Sequence, residues 1–267
     1  MSRILLAVVL IAIWSSCQEV KPEGIDTCEA LPDNQAGDVV KKAIAAAGGW
    51  DNWKSKDNFS FYKKITQLDS TGTVKKIVKQ LHTYQLKNGF KARMEWSVGS
   101  NNFLILNDGD KAIKYKNGIE MTDKKSENEA WNSSYGSHYV IGIPYKLADP
   151  GVTLGYNGID STLLGKPVHS VQVEYAKGVG RTGGMHRWIY YFDLDTYDLA
   201  ANFQDYGDGH SLTTYEVFES VGTHTIHNKR FSYASNKDKE KVQLKTVYEN
   251  EEMTFNITLD KNAFTLL

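Results

Sequence analysis

A turn signal arrives about every ten residues along most of this chain, and the stretches between signals are strand-length. Asp69-Ser70-Thr71-Gly72, Asn88-Gly89, Asn107-Asp108-Gly109 and Asn117-Gly118 punctuate the first half. Asn-Gly is the two-residue loop whose positive φ angles match the twist of a β-hairpin. Residues 90–97 alternate cleanly, with Phe90, Ala92, Met94 and Trp96 on one face and Lys91, Arg93 and Glu95 on the other. Residues 168–175 do the same, setting His169, Val171, Val173 and Tyr175 against Ser170, Gln172 and Glu174. A period of two marks a half-buried strand. Further strand-like segments lie at 58–68, 74–86, 103–106, 111–116, 152–156, 161–164, 185–193, 199–206, 211–221, 229–234, 242–249 and 253–259. A continuous antiparallel sheet of about eleven strands curls and does not stay flat. The predicted class is therefore mainly β (α+β): a half-barrel with an N-terminal helix and a helical insertion covering its concave face.

Two segments depart from the strand pattern. Residues 38–47 carry Val39, Val40, Ala43, Ile44 and Ala47 on one helical stripe, with Asp38 as a candidate N-cap and Gly48-Gly49 as the stop. Trp50 and Trp53 follow at once. Residues 124–149 lack alternation: 127–135 reads as one short helix and 139–147 as a second segment interrupted by Pro144. This insertion is expected to pack on the sheet as a lid, presenting Trp131, Tyr135, Tyr139 and Tyr145. No repeat of fixed period and no long linker divides the chain, so 37–267 reads as one domain.

The first residues have another character. Arg3 precedes an apolar run from 4 to 14, then come Ser15-Ser16 and Cys17. A bilayer span needs about 20 apolar residues, so the run suits an export signal. A Cys directly after the small pair resembles the bacterial lipoprotein signal, with Trp14 where Leu is usual. That resemblance implies a signal peptide over 1–16 and acylation of Cys17. Residues 17–36 are polar, hold Pro22, Gly24 and Pro32, show no periodicity, and read as a flexible tether. With Cys17 lipidated, Cys28 has no cysteine to pair with.

Composition excludes several functions. The chain of 267 residues has a formal net charge of −1, which offers no basic excess for nucleic acid. Ten Phe, fifteen Tyr and six Trp provide enough rings for a large core. The literal G-x-G-x-x-G at 178–183 leads into a strand, so it lacks the helix N-terminus that a dinucleotide site requires. His224 and His227 would fall on opposite faces of a strand, a poor arrangement for one metal ion. Asp193, Asp195 and Asp198 lack the central Gly and closing Glu of a calcium loop and read as a turn. No nucleophile elbow or Walker loop occurs. No catalytic residue, metal site or cofactor is therefore assigned, and the chain is not read as an enzyme.

The aromatic faces remain. Phe90, Met94 and Trp96 form one apolar surface, His186, Trp188, Tyr190 and Phe192 a second, and Phe203, Tyr215 and Phe218 a third. A large curled sheet has a concave face too wide for its own side chains to fill. Phe90, Met94, Trp96, Val171, Val173, Trp188 and Tyr190 are the residues expected to line the resulting cavity.

Three stretches carry a resemblance: Ala47-Gly48-Gly49-Trp50-Asp51-Asn52-Trp53, Ile143-Pro144-Tyr145-Lys146-Leu147-Ala148-Asp149-Pro150-Gly151, and Tyr190-Tyr191-Phe192-Asp193-Leu194-Asp195-Thr196-Tyr197. Together with the signal, the helix and the strand succession, they resemble a family of Gram-negative envelope lipoproteins of unknown function. That family lies within the LolA/LolB-like lipoprotein-carrier superfamily, and the likeness runs over about residues 37–234. The resemblance implies a helix-lidded apolar cavity for acyl chains and a lipid-anchored place at the outer membrane, on its periplasmic or surface side. Three functions follow for comparison. The first is a lipoprotein binding or carrying a lipid or other hydrophobic ligand. The second is a scaffold or sensor that binds another envelope protein. The third is an envelope hydrolase.

Overall fold

The computed structural model describes residues 31–179 and 184–267. The signal segment 1–16, Cys17, Cys28, the tether as far as residue 30 and the centre of the glycine-rich stretch lie outside the described residues. Among those described, no helix is long and apolar enough to cross a membrane.

Helix α1 (Gln35–Ala46) and the short α2 (Trp50–Lys54) lead into β1 (Asn58–Leu68), β2 (Val74–Gln85), β3 (Lys91–Val98), β4 (Asn101–Asn107), β5 (Ala112–Lys116) and β6 (Ile119–Glu120). Helix α3 (Lys124–Ile141) and a 3₁₀ turn (Tyr145–Ala148) follow. The chain then returns through β7 (Val152–Asp160), β8 (Val168–Tyr175), β9 (Arg187–Asp193), β10 (Leu199–Asp205), β11 (His210–Val221), β12 (His224–Ser235) and β13 (Lys241–Phe255). All thirteen strands join one sheet in the order β6-β5-β4-β3-β2-β1-β13-β12-β11-β10-β9-β8-β7. The two meanders meet where β1 pairs antiparallel with β13, and the sheet does not close into a barrel. Asn88 and Asn117 take positive φ in their Asn-Gly turns, as the hairpin chemistry requires.

Several elements differ in detail from the sequence reading. The N-cap of α1 is Asn34, whose side chain accepts from the Gly37 amide at 3.0 Å, while Asp38 lies in the first turn. The folded unit thus begins before residue 37, and Leu31 is already buried in the core beside α1. The first helix of the insertion, α3, runs on to Ile141, well past residue 135, and its N-cap Asp123 accepts from the Ser126 amide and hydroxyl; the 3₁₀ turn Tyr145–Ala148 follows it. Residues 161–164 are not a strand: the Asp160 carboxylate collects the Thr162 and Leu163 amides and turns the chain. The two segments 242–249 and 253–259 become one bulged strand, β13, with Glu252 at positive φ.

The faces of the sheet are distinct. On the convex side of the central strands, Glu249 lies between Lys64 (2.9 Å) and Lys229 (3.3 Å), its direct cross-strand partners, and Lys79 reaches Glu251 at 2.7 Å. Such pairs suit a solvated antiparallel face. A smaller convex cluster of Val168, Tyr191, Ala201, Phe203 and Leu212 is covered by Leu163 and Leu164. Phe203 is therefore on the opposite face from Tyr215, which lies in the concave core, and the two do not form one surface.

The concave side holds the main core. The stripe Val39, Val40, Ala43 and Ile44 of α1 packs with Val171, Val173, Tyr190 and Phe192 of β8 and β9. Gly48 ends this helix with φ +116°, and a Cβ there would come within 2.5 Å of the Thr223 carbonyl oxygen. That contact fixes the helix end against the β11–β12 turn and accounts for glycine at this position. The neighbouring Ala47 carbonyl accepts from Tyr145 Oη (2.7 Å) and from the Thr225 amide (3.2 Å). Trp53 stacks on Tyr145 with centroids 4.6 Å apart.

Candidate functional site

Along β1 the inward side chains are Phe59, Phe61, Lys63, Ile65 and Gln67, and they become steadily more exposed in that order. On β2 the matching inward series, read from the other end, is Lys76, Val78, Gln80, His82 and Tyr84. The register sets Phe61 opposite His82, Lys63 opposite Gln80, Ile65 opposite Val78 and Gln67 opposite Lys76. Phe59, Phe61, Tyr84, Ala92 and Ile141 pack into a closed aromatic end. Beyond it the side chains no longer meet, and a trough of about 470 Å³ opens between the sheet floor and α3. That volume is within the range of small-molecule sites, about 300–1,000 Å³.

Three polar ties hold α3 as a roof. Lys63 Nζ donates to Ser137 Oγ at 2.8 Å, Asn107 Nδ2 donates to Ser134 Oγ at 3.0 Å, and Lys114 pairs with Glu129 at 2.9 Å. Ala130 packs on Met94 and Ile105 beneath it. These ties fasten the roof to β1, β4 and β5.

Four residues expected in the cavity line this trough: Met94 and Trp96 from β3 on one flank, and Trp188 and Tyr190 from β9 on the other. Tyr139 lines it from the roof. The others lie elsewhere. Val171 and Val173 face the correct way, yet α1 packs over them and leaves no room for a ligand. Phe90 sits against the closed aromatic end, with its ring centroid 4.8 Å from that of His138. Of the expected lid residues, Trp131 is 44% exposed on the outer side of α3, stacked over Tyr135. Tyr145 is buried under Trp53 and helps hold the end of α1. Neither lines the trough.

The floor between the apolar flanks is polar, which the sequence reading did not anticipate. Lys63 of β1 and Arg230 of β12 both line it, each only 7% exposed. They flank the ring of Tyr248 on β13, with Arg230 Cζ 4.3 Å and Lys63 Nζ 5.3 Å from its centroid. Asn202 and Thr213 continue the floor, and Tyr215 donates to Asn202 Oδ1 at 2.8 Å. His82 and His227 are buried close by. Desolvation holds both imidazoles well below their usual pKa, and the charges of Lys63 and Arg230 push in the same direction. A signal for Lys63 did exist: it occupies an inward position of the alternation begun by Phe59 and Phe61. Arg230 had none, because bulges at Tyr215/Val217 and Val217/Phe218 shift the β11–β12 register.

The other motifs resolve as local structure. Asp193 Oδ1 accepts the Asp195 and Thr196 amides in a turn, and Lys166 draws the Asp193 carboxyl down to about 2. After the glycine-rich stretch the next element among the described residues is strand β9, not a helix. Among the described residues no group of three or more His, Cys, Asp or Glu side chains converges as a metal site.

No protein-family model and no curated protein matches this chain. Solved structures do. A domain described as an outer membrane lipoprotein-sorting protein from Vibrio parahaemolyticus superposes with a TM-score of 0.54 at 9% identity, over 85% of this chain and 95% of that one. A LolA superfamily protein from Nitrosomonas europaea gives 0.51 at 9% identity, over 86% and 97%. A DUF1329 family protein from Desulfovibrio piger gives 0.53 at 10% identity, over 86% and 96%. At such identities the likeness speaks for the fold, and the topology described above agrees with it. The chain thus shares the half-barrel fold of these structures, an unclosed antiparallel sheet curled around a helical cover.

Proposed function

We propose that this protein is a lipid-anchored lipoprotein of the Gram-negative envelope, tethered to the outer membrane, whose trough binds or carries a lipid or another hydrophobic ligand. One observation carries the reading: a roofed hollow of about 470 Å³ runs between two apolar flanks, Met94 and Trp96 on one and Trp188 and Tyr190 on the other. Burying ligand surface against such flanks gains about 25 cal/mol per Å², so affinity grows with the area covered. The half-barrel relatives named above include a lipoprotein-sorting domain and a LolA superfamily protein, which agrees with a carrier role. In this reading no catalytic residue is needed, and membrane attachment comes from acyl chains on Cys17. More than one chain makes such an anchor stable.

Native mass spectrometry and solvent extraction of the purified full chain test the ligand. A co-purifying lipid, or saturable uptake of an apolar probe, is the expected result; an empty protein that takes up no probe ends the reading. Metabolic labelling with radioactive palmitate tests the anchor. The wild type is expected to carry label in the membrane fraction and Cys17→Ser to lose both the label and the membrane association. A labelled Cys17→Ser protein would move the anchor elsewhere.

A further inference from the structure

Antiparallel pairing gives the sheet two distinct ends. β1, β3, β5, β8, β10 and β12 finish, and the strands after them begin, on the side away from the closed aromatic cluster. The trough runs out to this side, where Gln67, Lys76, Gln204 and Ser211 line it. Of the eleven large apolar side chains that are exposed among the described residues, seven stand at these strand ends. Ile77 of β2 is 57% exposed, Val242 of β13 64%, and Met185, two residues before β9, 80%. Val74 opens β2, Tyr206 follows β10, and the other two end β3 and begin β6.

The back of the sheet changes character at the same place. Lys79, Lys64, Glu249 and Lys229 make one charged rung of the convex face. Two residues nearer the open end the rung is Ile77, Thr66, Val247 and Phe231, which carries no charge. The surrounding charge is basic. Residues 69–77, 97–102, 116–121, 176–179, 184–187, 205–210 and 236–245 hold nine Lys and Arg against six Asp and Glu, in a chain that totals 31 against 32. Lys75, Lys76 and Lys237 are exposed among them.

A protein partner covers a continuous face, whereas these apolar side chains stand on separate strand ends around the mouth of a trough. Single apolar side chains with lysines between them suit a layer of acidic lipid headgroups: each enters the acyl boundary while lysine meets phosphate. Fourteen residues separate Cys17 from the buried Leu31, a reach of about 50 Å when extended, so an anchored chain can bring this end to the bilayer.

We infer that the open end of the half-barrel docks on an acidic phospholipid bilayer, with Val74, Ile77, Tyr206 and Val242 entering its interface. The trough then fills and empties through the membrane surface and not through water. This rests on the lipid-carrying reading above and adds to it the place of exchange.

The photocrosslinking residue p-benzoylphenylalanine, put singly in place of Ile77, Val242 or Ile159 in the full chain, reads the contact. Ile159 of β7 is the control, 56% exposed at the opposite end of the sheet. On vesicles of phosphatidylethanolamine and phosphatidylglycerol, lipid adducts at 77 and 242 are expected to exceed those at 159 at least fivefold. Equal yields at the three positions, or no adducts at 77 and 242, overturn the docking. Crosslinks from 77 or 242 to a second copy or another protein in place of lipid also overturn it. On phosphatidylcholine vesicles the yield at 77 and 242 should fall at least threefold, and an unchanged yield overturns the preference for an acidic bilayer. Hydrogen exchange of the wild type repeats the test without substitution. Vesicles are expected to slow the amides of 69–77 and 236–245 and to leave those of 161–167 unchanged; no slowing overturns the docking. Lipid extraction remains a separate measurement: a chain that co-purifies with lipid yet gives no adducts loses the docking and keeps the carrier reading, while one that docks without holding lipid does the reverse.

Discussion

On β1 the rings of Phe59 and Phe61 face inward near one end, while Ile65 and Gln67 face inward near the other, with Lys63 between them. The backbone pairing is the same along this length, since every residue from Asn58 to Gln67 has a partner on β2. At the first end Phe59 stacks on Phe61 and packs at a tilt against Tyr84 and Phe255, with ring centroids 5.1–6.0 Å apart. At the second the side chains across the bowl do not touch, and the trough opens. Along β1 the contrast follows the inward side chains, since the backbone pairing does not change. On β1 the rings at the inward positions weld the sheet to its cover, whereas in the trough the rings of Trp96, Trp188 and Tyr190 stand on the flanks and leave the middle open.

The difference between the two ends can be broken first at the closed one. Phe59→Ala removes a fully buried ring and should cost about 3–5 kcal/mol of stability, read as a lower urea midpoint with an unchanged slope. A loss below about 1 kcal/mol would mean that this end is as loosely filled as the trough.

Acid should weaken the closed end next. His82, His138 and His227 are wholly buried, and burial lowers each pKa well below 6.5; Lys63 and Arg230 add to the effect at His82 and His227, and Lys146 at His138. With the folded pKa depressed, the unfolded chain binds the proton first. Stability is therefore whole above about pH 6.5 and falls as pH drops below it, by up to ~1.4 kcal/mol per histidine over the first unit. Urea midpoints at pH 7.5, 6.5 and 5.5 check this, and His138→Asn should flatten the slope. A midpoint that rises on acidification would reverse the protonation assignment.

At the mouth the balance inverts. Ile65→Ala should cost about 1 kcal/mol or less in stability, because the side chain is only half-buried, yet weaken an apolar probe several-fold in a binding titration. The smallest effect belongs to the outer face. Glu249→Gln breaks pairs with Lys64 and Lys229 at partly exposed sites and should cost no more than about 0.5 kcal/mol, vanishing in high salt.

The parts of this molecule that were legible in the sequence are those set by local chemistry. Alternation placed Ala92, Met94 and Trp96 on the concave side, and the stripe of α1 is buried as read. Asn88 and Asn117 mark true hairpin turns. What stayed illegible depends on distant segments. Val171 and Val173 have the right parity, but nothing in residues 168–175 says that α1 will lie on them. Phe203 looks inward in composition, and only Leu163 and Leu164 folding over the back of the sheet explain an outward ring. Trp131 lies on the outer side of a helix whose roofing face was not evident from its mixed sequence. Lys63 was readable from its position among phenylalanines, whereas bulges hid Arg230.

Among the described residues, the strands that end the sheet, β6 and β7, have no strand partner on their outer sides. A closed cylinder has a girth fixed by its strand number and stagger, and a bulkier guest could enter only by rupturing a seam. This ribbon has no seam. Its two halves are instead held together by the helical cover: α3 is tied to β4 and β5 on one side, and its Tyr139 packs on Tyr175 of β8 on the other. The span between β3 and β9, and with it the thickness of guest that fits, is thus set by the cover and not by strand number and stagger.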